Sequence, residues 1–116
     1  RLLRANAEKQ GFELRGGVED YLAAATRLVA PGGSITLCTS ALERDRVRTA
    51  AVGLAWREHW QIVPREGKEP LVDVDVFAPT ATATEHHTLT VRDREGRWTV
   101  DFQRVRDQMG MPSTPP

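Results

Sequence analysis

A chain of 116 residues holds one domain at most. Its 16 Lys plus Arg balance 16 Asp plus Glu, so no net field draws in nucleic acid or an anionic membrane, although arginine-rich local clusters remain possible. No apolar run approaches the roughly 18 residues of a membrane span, no secretory leader pattern opens the chain, and the lone cysteine, Cys38, excludes an internal disulfide, so a cytoplasmic setting is expected.

Arg1 to Gln10 mixes Leu2, Leu3, Ala5 and Ala7 with charges, a short helix that Gly11 ends. Phe12 to Gly17 reads as a loop. Beyond it Val18, Tyr21, Leu22, Ala25, Leu28 and Val29 share one face at helical spacing. Glu19 and Asp20 in the first turn, and Arg27 near the end, suit the helix dipole. Pro31-Gly32-Gly33 stops that helix, and Ser34 to Thr39 follows as a strand. A helix laying its apolar face on the strand that follows it is the unit of an α/β sheet.

Ser40-Ala41-Leu42-Glu43 is a capping-box pattern, in which the Ser hydroxyl and the Glu carboxylate each satisfy an orphan N–H. It opens a helix with Val47, Ala50, Ala51 and Leu54 on one face and Gly53 as its stop. Arg44, Arg46 and Arg48 on it read as a solvated face rather than a binding patch. Leu54, Trp56, Trp60 and Ile62 then share one parity, and the two tryptophans are assigned to the core. Pro64 to Pro70 is a turn-rich loop, and Leu71 to Phe77 alternates with Val72, Val74 and Val76 on one side. The two runs predict an antiparallel pair. Asp73 and Asp75 fall on the opposite face, which is expected to stay uncovered unless they find partners.

Pro79 to Thr84 reads as a surface linker, Thr88 to Asp93 as a further strand, and Arg94-Glu95-Gly96 as its turn. Trp98, Phe102, Val105 and Met109 predict a short closing helix, and Ser113 to Pro116 a disordered tail. The chain thus divides at 1–78, 79–112 and 113–116.

Chemistry-bearing motifs are sparse. No GxGxxG occurs; Gly16-Gly17 and Gly32-Gly33 are isolated pairs. His86 and His87 point to opposite sides of an extended chain, so with His59 and Cys38 they make no chelating set. Cys38 ends an apolar strand and reads as a buried small hydrophobe, not a nucleophile. Arg65 and Lys68 form the best local candidate for a phosphate contact, with a solvated hairpin turn as the plainer alternative.

Four segments carry a resemblance. They are Phe12 to Tyr21; Leu28-Val29-Ala30-Pro31-Gly32-Gly33; Ile62-Val63-Pro64-Arg65-Glu66-Gly67-Lys68; and Asp93 to Phe102. Their succession resembles the C-terminal half of a Rossmann-type, S-adenosylmethionine-dependent methyltransferase. The branch is the one that methylates adenine N6 next to the anticodon of a valine tRNA. The third segment resembles that branch's "VVPREGK" loop most narrowly. The last departs from its "DxxGxYTxEF" segment at Trp98 and Asp101. The family's glycine-rich loop, ribose-holding acid and Asn-Pro-Pro-aromatic motif have no counterpart in these 116 residues, which open on Arg1 and not Met.

The resemblance implies a partial Rossmann-like α/β sheet, its last three strands (Ser34–Thr39, Leu54–Val63 and Leu71–Phe77) present with the final pair antiparallel and the last strand lying between the other two. It implies a fragment of a methyltransferase of tRNA or a related RNA, inactive alone, whose parent uses S-adenosylmethionine. No residue of this chain is expected to be catalytic, to hold the cofactor or to bind metal. Arg65, Lys68 and Arg15 are expected to touch substrate. The partners implied are the RNA, the missing N-terminal half, and a second copy through Ser34 to Thr39, left as an open edge with no Lys or Pro within it. The alternative is a small non-catalytic α/β binding or interaction domain derived from the same fold.

Overall fold

The computed structural model of the protein describes residues 17–111. The segment from Arg1 to Gly16, Arg15 included, and the tail from Pro112 onward lie outside the described residues. In chain order come α1 (Gly17–Leu28), β1 (Ile35–Ser40), a 3-10 turn (Ala41–Glu43), α2 (Arg44–Ala50), β2 (Ala55–Arg65), β3 (Val72–Ala78), β4 (Glu85–Arg92) and α3 (Val100–Gln108). No helix among the described residues is long and apolar enough to cross a membrane.

The four strands form one sheet in the order β1-β3-β2-β4. β3 is antiparallel to both neighbours, and β4 lies parallel to β2. The strand from Leu71 to Phe77 therefore sits between the other two, as the resemblance implies. Because β1, β2 and β4 run the same way, Ser40, Arg65 and Arg92 all end at one rim. β1 pairs only with β3 among the described residues, so its outer edge is free.

Helices α1 and α2 cover one face at the β1 end. Leu22, Val47 and Ala51 from the helical side meet Ile35, Leu37 and Phe77 from the sheet, all buried, with Val18, Tyr21, Ala25 and Val29 around them. The periodicity of the first helix is realised except at Leu28, the last helical residue, which is 78% exposed, and Pro31-Gly32 turns the chain with Gly32 at φ +80°, where a Cβ would be strained. An ion pair locks the helices together. Arg46 donates through Nε and Nη2 to both Glu19 oxygens at 2.7 Å. Its guanidinium also lies over Gly17, where an added Cβ would stand 2.9 Å from Nη2.

The three arginines expected as a solvated face all make tertiary contacts, although Arg46 and Arg48 remain exposed. Arg44 reaches Asp73, Arg46 reaches Glu19, and the Arg48 guanidinium lies 4.5 Å from the Trp56 ring centroid. A planar, always-charged head on a long stem can do this from a helix that is otherwise exposed. Only half of the capping box forms. The Ser40 hydroxyl accepts from Leu42 N at 3.2 Å, while Glu43 turns away to Arg46 at 3.3 Å. The first turn is 3-10 rather than α, so Glu43, third after Ser40, becomes the N-cap of α2 and makes no side-chain cap bond there.

The parity of β3 is the larger correction. Asp73, Asp75 and Phe77 point into the covered face and are 0%, 2% and 2% exposed. Val72, Val74 and Val76, on the other face, are only half-buried. Cys38 shares that open face and is exposed, not buried. The shared parity of Trp56 and Trp60 also fails. A bulge between Trp56 and Glu58 shifts the register, so Trp56 joins the aspartate face while Trp60 stacks on His87 across the sheet.

β4 begins at Glu85, three residues earlier than the alternation predicts, and carries the chain into the same sheet. The short helix α3 follows where the spacing placed it. Thr99 caps it by accepting from Phe102 N at 3.1 Å and ties it back to β4 through the Thr90 carbonyl. Arg106 lies over the Trp98 ring at 4.2 Å, closing that end.

Candidate functional site

Two places gather polar chemistry: the rim where β1, β2 and β4 end, and the covered face around Asp73.

At the rim, the loop after β2 is a turn pinned by Lys68 N to Arg65 O at 3.0 Å, Glu66 N to Arg92 O at 2.8 Å and Leu71 N to Ile62 O at 2.9 Å. The loop after β4 folds around Asp93, whose Oδ1 accepts from Glu95 N and Arg97 N at 2.9 Å. Those backbone donors, Arg97 N foremost, hold the Asp93 carboxyl below its usual range. The two loops grip each other. Arg65 donates to the Arg94 carbonyl, and Arg94 pairs with Glu66 at 3.3 Å. Of the sequence-predicted contacts, Arg65 is therefore partly engaged, whereas Lys68 is exposed and pairs with no carboxylate among the described residues.

The second place is one that periodicity alone does not find. Asp73 accepts from Arg44 Nε at 2.6 Å, Arg44 Nη2 at 3.0 Å and His59 Nε2 at 3.1 Å. With its amide oxygen turned toward α2, Gln61 accepts from Arg44 Nη1 at 3.2 Å and Nη2 at 3.0 Å. Burial disfavours the Asp73 charge, but the Arg44 and His59 bonds outweigh it and leave its pKa below the usual value of 3.8. Asp73 in turn raises the pKa of Arg44. Asp75, two residues on, has among the described residues only the Trp56 indole N–H at 2.9 Å, and burial prevails to raise its pKa.

A carboxylate only accepts, so His59 must carry a proton on Nε2. Its Nδ1 lies 3.4 Å from His86 Nδ1. In the neutral ring that Nδ1 is bare, and His86 must donate to it, which leaves His86 Nε2 as the outward acceptor. Above this chain opens a cavity of about 300 Å3. As expected from their adjacency, His86 and His87 part company: His87 lies against Trp60, with ring centroids 4.3 Å apart. No group of three or more metal-ligating side chains forms among the described residues.

Arg44 and Asp73 are 29 residues apart, so no local pattern announces their pairing. The one available signal was Asp73-x-Asp75 itself. Two carboxylates alternating with valines in a central strand require buried partners or an open face.

The topology is that of a mixed α/β, methyltransferase-like fold. No family model and no curated protein matches the chain. Among solved structures, a predicted O-methyltransferase from Agrobacterium tumefaciens is similar at 15% identity and a TM-score of 0.67, over 79% of this chain and 46% of that one. The likeness is one of fold. The chain spans under half the length of that neighbour.

Proposed function

We propose that this chain is the C-terminal half of an S-adenosylmethionine-dependent methyltransferase domain acting on adenine N6 in tRNA or a related RNA. The observation that carries the reading is the strand order. β3 lies antiparallel between β1 and β2, and the free edge of β1 is where the resemblance puts the missing strand. In doubly wound sheets, ligands sit beyond the carboxyl ends of the strands. The rim of Ser40, Arg65 and Arg92 is that end, and it carries the Arg65 to Lys68 loop.

The described residues do not themselves fit the cofactor. The glycine turn at Gly67 is occupied, with the Arg94 guanidinium 3.2 Å from where a Cβ would stand. The cavity on the covered face is walled by arginine and histidine, the wrong sign for a sulfonium. Cofactor and catalytic groups belong, in this reading, to the other half of the domain. This half supplies the outer wall and cationic contacts to substrate phosphates through Arg65 and Lys68.

Replacing both Arg65 and Lys68 by Ala in the assembled enzyme should weaken RNA binding and flatten its salt dependence by about two counterions. An unchanged salt slope returns the loop to a solvated turn. The same reading gives the isolated chain a use for its bare edge: association with the N-terminal half, or with a second copy along β1.

A further inference from the structure

The cavity between α2 and the β2–β4 side of the sheet carries chemistry that neither the core nor the rim uses. It is a half-open cleft of about 300 Å3, at the small end of ligand pockets, between Arg44 and Arg48 of α2, His59 and Gln61 of β2, and His86–Thr88 of β4. None of these residues is a carboxylate. Asp73 lies behind His59, fully buried, its oxygens taken by Arg44 and His59.

The two arginines differ. Arg44 is neutralised by a bidentate contact with Asp73. Arg48 has no carboxylate partner among the described residues; its guanidinium carbon lies 4.5 Å from the Trp56 ring centroid. A guanidinium stacked on one face keeps its N–H edge, the part that matches an oxyanion, for a ligand. His86 is the second handle. With Nδ1 committed to His59, it exchanges charge only at Nε2. Taking up a proton there turns an acceptor into a donor without disturbing the Asp73–His59 bond.

We propose that this cavity is an oxyanion site for a phosphate group, gripped by Arg48 and by His86 in its imidazolium form. The site is independent of the methyltransferase reading. Binding transfers nothing but one proton, from solvent to His86 Nε2. The groups facing His86 come from β2, α2 and its own strand. Trp56 and His59 from β2 touch its ring, Arg44 and Arg48 stand across the cavity on α2, and Asp73 and Asp75 reach it only through His59 and Trp56. On its own strand Glu85 is turned to His87 at 3.2 Å.

Sulfate is the probe for the pH dependence, because it stays dianionic where phosphate does not. Titrated into the full chain and followed by the histidine Cε1–H resonances, it should bind about tenfold or more tightly at about pH 6 than at about pH 8. The His86 signal should move most. Arg48→Ala should weaken binding by about tenfold or more, Arg48→Lys by less, and His86→Gln should abolish the pH dependence. Both positions are exposed, so the fold should survive replacement. Inorganic phosphate, adenosine 5′-monophosphate and adenosine identify the source. A preference for the nucleotide over free phosphate, with adenosine silent, marks a nucleotide-borne group; equal binding marks free phosphate. Sulfate affinity that is absent, equal at both pH values, or unchanged by Arg48→Ala would overturn the assignment.

Discussion

The two faces of this sheet are dressed against expectation. The face under α1 and α2 holds Phe77 and Leu37 but also two aspartates and a histidine at 5% exposure or less. The other face presents Val72, Val74 and Val76 half-buried, with Thr36 and Cys38 exposed beside them. Hydrophobicity alone would have turned β3 over. What decides its orientation is that Phe77 shares parity with the aspartates, and that the covering side supplies them with Arg44, His59 and Trp56. A carboxylate is tolerated inside when its partners are built in.

The contrast predicts unequal sensitivity to truncation. Phe77→Ala, in the closed core, should cost about 3–5 kcal/mol in urea unfolding, whereas Val74→Ala, on the open face, should cost about 1 kcal/mol or less. Equal losses would mean that both faces are packed alike.

Within the covered face, the two aspartates should separate as well. Asp73→Ala leaves Arg44 and His59 without their shared acceptor and should cost about 3 kcal/mol. Asp75→Asn relieves a buried charge that one indole N–H holds, and should be neutral or mildly stabilising at neutral pH. A matching loss at Asp75 would erase the distinction between a partnered and an under-partnered carboxylate.

Their titrations run in opposite senses. The folded pKa of Asp73 lies below 3.8, so its stabilisation is present above that value and is lost as pH falls through the lower, folded pKa. The folded pKa of Asp75 lies above 3.8, so its ionisation penalises the fold at neutral pH. That penalty fades as pH falls through the raised value. Asp75→Asn should therefore gain most over wild type near neutrality and converge with it in acid. Asp73→Asn should do the reverse, losing less as the wild-type carboxylate protonates. Denaturant midpoints from about pH 3 to about pH 7 read both. The smallest effect is chemical: native Cys38 should react with a thiol reagent without unfolding, and a protected Cys38 would mean that the open face is already covered.

Much of this was legible in residue order. Helix α1, the Pro31-Gly32 stop, the antiparallel β2–β3 pair and α3 follow from spacing and punctuation in the chain. The resemblance as a whole also anticipated β3 between β1 and β2. Three features were hidden, each for a physical reason. The bulge at Arg57 flips Trp56 against Trp60, and a period-two reading cannot register one extra residue. The valines mimic a buried face because alternation says that two faces differ without saying which is inside. The Asp73 network joins α2, β2 and β3 across 14 and 29 residues, so it exists only once the sheet has formed.

If this fold is half of a larger sheet, as we propose, its β1 edge is left without the neighbouring strand. Sedimentation velocity of the purified chain across the micromolar range tests it most directly. Association that rises with concentration, and that Cys38→Lys suppresses by placing a charge beside the free edge, is the predicted result. A cooperatively folded monomer at every concentration, unaltered by that charge, would contradict it.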